Sequence, residues 1–212
     1  MQMKKLTIII IAVLALPLVA SAQDAMRQLF ASENAGVFRS LTLATRYELL
    51  NKYDRGDTTQ VLNNLRTEET GILSLSPTHM LLKSSAGKTV EMKLLFKSKS
   101  DTVIAVIETV ATPVKDSKIS FYDTKWSKLE GSKFFAAPTA ADFITSRAPR
   151  DVRDALLSGI SFAMIEMKFK GETLVATCNL NDFFMAGDFK SFQPYVIREL
   201  VYTIDKAKIK RK

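Results

Sequence analysis

The chain reads as an α+β protein dominated by antiparallel strands, with helices packed on one face of the sheet. Three observations carry this. Apolar residues alternate at period two through Val90, Met92, Leu94 and Phe96, and again through Ile165, Met167 and Phe169, as in strands with one face on a core. The links between successive strand-like runs are too short for the crossover that parallel neighbours need. Helical spacing is confined to 24–56 and to a segment after residue 139. Of 212 residues, 47% are hydrophobic and 25% charged, so the chain has apolar bulk enough for a core.

Lys4 and Lys5 precede a 15-residue apolar run over 6–20, and Ala20-Ser21-Ala22 follows with small side chains. The run is shorter than the roughly 20 apolar residues a membrane span requires. It predicts a cleaved secretory signal over 1–22, cleavage near Ala22, and a periplasmic or secreted product. No cysteine sits near that point to carry a lipid, and no later run is long and apolar enough to span a bilayer. A single domain is expected over 23–205, the alternative being two α+β halves meeting near 123–138, with a basic tail over 206–212.

Within that domain, 24–56 predicts helix, with Leu43, Tyr47 and Leu50 on one apolar face, Ser40 as N-cap and Gly56 as stop. Residues 54–71 are polar and predict a loop or short frayed helix. From Ile72 a four-stranded meander is expected. Met80 begins one strand, Gly87 permits the turn into the next, and Glu91 and Lys93 face solvent there. The apolar stretch through Val103, Ile104, Val106 and Ile107 suits a central strand, and Pro113 turns the chain into the fourth. Thr139 and Asp142 form a capping-box pattern opening a helix with Val152, Ala155 and Leu156 on one face and Gly159 at its end. A hairpin follows: Ala163 to Phe169 alternates, Gly171-Glu172 turns, and Leu174, Ala176, Cys178 and Leu180 alternate on the return. A short helix or loop over 182–192 leads to a last strand over 195–204.

The run Thr112-Pro113-Val114-Lys115-Asp116-Ser117-Lys118-Ile119-Ser120-Phe121-Tyr122-Asp123-Thr124-Lys125-Trp126, with Glu91-Met92-Lys93-Leu94 upstream and 134–143 downstream, resembles the family called domain of unknown function 3256. The resemblance implies an exported protein of an anaerobic, gut-type Gram-negative bacterium. It implies no activity and no functional residue. Some members carry cysteines flanking the proline where this chain has Ala111 and Lys115, so no redox role transfers.

Chemistry is narrowed by what the sequence lacks. No two of the eight glycines lie closer than twelve residues, which excludes the glycine-rich phosphate loops and the hydrolase nucleophile elbow. One histidine excludes metal sites needing two imidazoles, one cysteine excludes an intrachain disulfide, and no cofactor is implied. The net charge of +8 is concentrated at the ends. Without Lys4, Lys5 and the tail cations Lys206, Lys208, Lys210, Arg211 and Lys212, 23 cations face 22 carboxylates. A nucleic-acid partner is therefore not expected, while the tail offers a weak contact to an anionic surface. Cys178 reads as a buried, inert thiol, His79 as a turn residue at the mouth of a strand, and Arg55-Gly56-Asp57 as a helix end.

Aromatics are the notable excess: ten of the thirteen Phe and the only Trp follow residue 120. With Phe121 inward on a strand, Tyr122 points outward near Trp126. Tyr122, Trp126, Phe134 and Phe135 are therefore the candidate contacts for an envelope protein or glycan. The sequence thus points to a non-enzymatic binding or interaction module. The competing reading is a periplasmic hydrolase assembled from dispersed acidic residues and His79.

Overall fold

The structure, a computed structural model, describes residues 20–57, 61–63, 68–98, 101–111, 114–159, 164–179 and 190–212. The apolar run of the expected signal up to residue 19, Pro113, Ala163, Leu180 and all but the end of the 182–192 segment lie outside the described residues.

The expected first helix is two, α1 (Ala20–Phe30) and α2 (Leu43–Asp54), separated by a turn that includes a 3-10 segment, Gly36–Phe38. The N-cap of α2 is Thr42 rather than Ser40, its hydroxyl accepting the Thr45 N–H at 3.1 Å. The buried face also differs from the expected one. Thr45, Arg46, Leu49 and Leu50 are inside, and Tyr47 is 51% exposed. Arg46 explains the rotation, because its Nη1 donates to the carbonyls of Phe30 at 2.8 Å and Ser32 at 2.7 Å, capping the end of α1. Gly56 ends α2 as expected. At φ +69° it donates to the Tyr53 carbonyl at 3.1 Å, and Asp57 N–H donates to Lys52 at 2.9 Å.

Six antiparallel strands follow in chain order: β1 (Val61–Asn63), β2 (Glu68–Leu75), β3 (His79–Ser85), β4 (Lys88–Phe96), β5 (Thr102–Ala111) and β6 (Lys115–Tyr122). The meander is thus six-stranded rather than four, because β1 and β2 occupy the expected loop. Polar Glu68-Glu69-Thr70 is held extended by pairing with β1, and Thr70 is buried with its hydroxyl on the Lys83 carbonyl at 2.7 Å. A register shift between Ile72 and Ser74 turns Leu73 out to solvent.

Both faces of this sheet are covered. On one, Met80, Leu82, Met92, Ile104 and Val106 pack with Met26, Phe30, Phe38 and Leu49 of the helical segment. On the other, Leu95, Val103, Ala105, Ile107 and Phe121 pack against a second, four-stranded antiparallel sheet. That sheet runs β7 (Ile165–Lys170), β8 (Thr173–Cys178), β9 (Glu199–Asp205) and β10 (Lys208–Arg211), in spatial order β10-β9-β8-β7. Leu174, Ala176, Leu200 and Tyr202 are its inner side chains. The α+β class with mostly antiparallel pairing therefore stands, with a second sheet as an added layer. The β7–β8 hairpin turns at Gly171, φ +57°, as the sequence predicts. The capping box at Thr139 and Asp142 forms, yet it caps only a 3-10 turn, Ala140–Phe143. The helix expected there starts later, as α3 (Arg150–Gly159), which buries Leu156 in the second core.

The last strand is shorter than expected at its start, since 193–195 form a 3-10 turn. The expected tail is a strand instead. Lys208, Ile209, Lys210 and Arg211 pair with Asp205, Ile204, Thr203 and Tyr202. Ile209 is buried, and its N–H donates to the Phe134 carbonyl at 2.8 Å. The connecting turn holds Lys206 at φ +45° and Ala207 at φ +63°, a conformation that Asn-Gly adopts more readily.

The two sheets meet where the outer edge of β7 crosses the face of the first. The N–H groups of Ile165, Met167 and Phe169 donate to Asp116 Oδ1 at 3.2 Å, Ser117 Oγ at 2.9 Å and Glu91 Oε2 at 3.1 Å. Glu91 and Lys93, expected in solvent, are accordingly 7% and 4% exposed. Lys93 Nζ donates to the Gly171 carbonyl at 2.8 Å and to Glu172 Oε1 at 2.9 Å. Period two placed these side chains on the right face of β4, but only the second sheet makes that face interior.

Candidate functional site

Tyr122 ends β6 on the helix-side face of the first sheet, opposite Ile104. The chain then reverses tightly. Asp123 N–H donates to Ser127 O at 3.0 Å and Trp126 N–H to Asp123 O at 3.0 Å, while Asp123 Oδ1 accepts the Lys125 and Ser127 N–H groups. This turn ends in a left-handed residue, a place glycine usually takes, and here it is Trp126 at φ +66°. A left-handed bulky residue costs about 1–2 kcal/mol, so its side chain must offset that cost. The indole Nε1–H donates to the Leu29 carbonyl in the last turn of α1 at 3.1 Å. The ring lies edge-on to Phe38 at 6.0 Å between centroids and tilted against Tyr122 at 5.4 Å. Phe38 in turn meets Phe30 at 4.9 Å.

Of the four expected contact residues, Trp126 and Phe135 are therefore core, 7% and 6% exposed. Phe135 sits edge-on to Tyr202 at 5.1 Å in the second core. Phe134 is half-buried and stacks on Phe121 at 5.0 Å, with Lys97 Nζ 5.6 Å from its ring centre. The four do not form one patch. Phe134 and Phe135 belong to the second-sheet side, and Tyr122 and Trp126 to the helix side.

Tyr122 and Trp126 do line a groove of about 600 Å³ between the 34–40 turn and the end of the first sheet. Its cations are Arg39, Lys88 and Lys128, and its carboxylates are Glu68 and Glu108. Lys88 and Glu108 satisfy each other at 2.6 Å. Arg39 and Lys128 have no side-chain partner among the described residues. Burial pushes the Tyr122 phenol above its usual range; its hydrogen bond to the Ser120 side chain acts the other way, Glu108 raises it further and Arg39 lowers it. The phenol therefore stays neutral and available as donor or acceptor beside Arg39. Sequence reasoning found Tyr122 but missed Arg39 and Lys128. They come from distant segments and meet only because Trp126 ties its turn to α1.

His79 opens β3, with Nε2 2.7 Å from Glu91 Oε1, while Ser76 Oγ bonds only the backbone of His79. Among the described residues no serine hydroxyl hydrogen-bonds the His79 ring, and no group of three His, Cys, Asp or Glu could hold a metal. His79 lies outside the groove, and Glu91 is committed to the Phe169 N–H. Cys178, expected to be buried, is half-buried against the second core. Among the described residues no helix is long and apolar enough to cross a membrane.

No curated protein matches the chain. Among solved structures, a domain of an uncharacterized protein from Porphyromonas gingivalis W83 is similar in fold. It has 21% identity and a TM-score of 0.76, with 89% of this chain and 98% of that chain covered. A family model described as Protein of unknown function (DUF3256) matches residues 18–209. With the match running through both sheets, and with the resemblance of 112–126 pointing the same way, the chain belongs to the DUF3256 family.

Proposed function

We propose that the protein is an exported, non-catalytic binding module whose groove beside Tyr122 takes an acidic saccharide. The observation that carries this is the pair of cations, Arg39 and Lys128, that have no salt-bridge partner among the described residues and share one groove with a half-buried phenol. A ligand carboxylate would find charge-assisted donors there, sugar hydroxyls would find Tyr122, Ser84 and Ser85, and the exposed part of the Tyr122 ring offers a stacking edge. Export is supported by Lys4, Lys5 and the apolar run after them. The buried residues of α1, Met26 and Phe30, follow the expected cleavage point, so the mature chain keeps them.

The test is calorimetric titration of the mature chain with oligogalacturonate and with a neutral oligosaccharide of equal length. The acidic oligomer should bind, the neutral one at least tenfold more weakly, and Arg39→Ala and Lys128→Ala should each cost about tenfold. Equal affinity for both sugars, or binding untouched by both substitutions, refutes this site. Amino-terminal sequencing of protein from the periplasmic fraction tests export, with Gln23 as the expected first residue.

A further inference from the structure

The cations expected in a tail are fixed in a sheet, and the strand register shows where they point. Across the second sheet Lys170 stands opposite Thr173, Thr173 opposite Thr203, and Thr203 opposite Lys210. One step along, Lys168 stands opposite Val175 and Val175 opposite Val201, whose carbonyl accepts the Lys212 N–H at 3.0 Å. Strand spacing puts the four lysines at the corners of a rectangle of about 14 by 7 Å. Their neighbours along the strands, Phe169, Tyr202 and Ile209, point into the core, so the lysines occupy the opposite face, and all four are exposed. Lys208 lies on the same face of β10.

The carboxylates of this face neutralise it only in part. Glu199 lies 4.0 Å from Lys170 and Asp205 3.7 Å from Lys210, both pairs in solvent, while Glu166 is drawn to Lys115 at 2.9 Å. Lys168, Lys208 and Lys212 have no side-chain partner among the described residues. Between the lysines lie Thr173, Thr203, Val175 and Val201, of which Val175 is buried, and among the described residues no ring on which a sugar could stack lies between them. An array of exposed cations, with no stacking platform among the described residues, fits a surface of closely spaced phosphates.

We propose that the outer face of β7–β10 docks the protein on an anionic phospholipid bilayer. This surface is independent of the groove at Tyr122. A surface-near lysine contributes about fivefold in partition at modest salt, so the array suffices for reversible attachment.

The experiment is co-sedimentation of the mature chain with vesicles of 30 mol% phosphatidylglycerol in phosphatidylcholine, and with pure phosphatidylcholine. The chain should partition onto the anionic vesicles, ignore the neutral ones, and be released by high salt. Replacing Lys168, Lys170, Lys210 and Lys212 with Gln should lower partition at least tenfold. Glu199→Gln with Asp205→Asn should raise it severalfold, a gain that misfolding does not produce. Equal sedimentation with both vesicle types, failure of the wild-type chain to sediment at low salt, or no change in either variant overturns the proposal. Retention on heparin without vesicle binding also overturns it, and assigns the face to a soluble polyanion.

Discussion

Replacing Glu91 tests the account of how the two sheets join. Its two oxygens have separate duties: Oε1 holds His79 Nε2 at 2.7 Å and Oε2 accepts the Phe169 N–H at 3.1 Å. The side chain is 9% exposed, so water cannot replace it freely. Glu91→Ala leaves the buried Phe169 N–H without a partner, which costs about 1–3 kcal/mol. It also removes the methylene packing under β7, worth about 1 kcal/mol more. A total near 3 kcal/mol corresponds to a fall in Tm of about 6–12 °C for a chain of this size. Glu91→Gln keeps an acceptor for the Phe169 N–H and a polar amide facing His79, and should cost about 1 kcal/mol or less. Urea denaturation gives the two stabilities, and amide hydrogen exchange reads Phe169 directly, with protection lost in Glu91→Ala and retained in Glu91→Gln. Two equally stable variants, or a Phe169 amide that stays protected without the carboxylate, would refute the junction as drawn.

Four further outcomes are expected. Trp126→Ala should cost about 3–5 kcal/mol of unfolding free energy, and Trp126→Gly about 1 kcal/mol less, because glycine alone relieves the left-handed backbone; the reverse order would remove the strain argument. Arg46→Leu should lower stability by about 2–4 kcal/mol in urea titration, since it orphans the Phe30 and Ser32 carbonyls, even though burial holds the Arg46 pKa below its usual range. Lys206→Asn should raise Tm, by about 0.5–1 kcal/mol equivalent, by suiting the positive φ of the β9–β10 turn. The Asp142 carboxyl is held below its ordinary range by the Thr139 N–H, then the Thr139 hydroxyl, and by Arg211. Its contribution is therefore present above the unfolded carboxylate value near 4 and is lost as pH falls through the lower folded value. Asp142→Asn should flatten the acid limb of stability against pH.

Local pattern carried much of the fold. The alternation of β4, the apolar run of β5 and the Gly171 hairpin were legible because each states its own geometry within ten residues. Gly56 was legible because a left-handed helix end favours glycine. The elements that were missed depend on partners. Glu68-Glu69-Thr70 is polar and becomes a strand against β1, with the Thr70 hydroxyl tied to the Lys83 carbonyl of β3. Lys208-Ile209-Lys210-Arg211 has one apolar residue, and Ile209 earns a place in the core only beside Tyr202 and Phe135. The solvent face expected for Glu91 and Lys93 followed correctly from period two, but period two says nothing about a second sheet. The aromatic cluster was visible as composition, and composition does not separate ligand contacts from core. Phe135 went to the second core and Trp126 to the first, where its remaining surface lines the groove with the half-buried Tyr122, beside cations that no local pattern connects to them.

The edge of β7 has a consequence for solubility. An unpaired strand edge is a template on which another chain can add, and β7 would present three N–H groups in a row. Asp116, Ser117 and Glu91 occupy all three from within the same molecule, so an incoming strand finds no donors left. The blockade works only while both sheets share one chain in register. A fragment cut in the 123–138 segment would separate the acceptors from the donors and bare a strand edge flanked by Met167 and Phe169. Such halves should coprecipitate or re-pair with each other rather than persist alone, which makes that loop a poor place for a proteolytic nick and a good site for a complementation split.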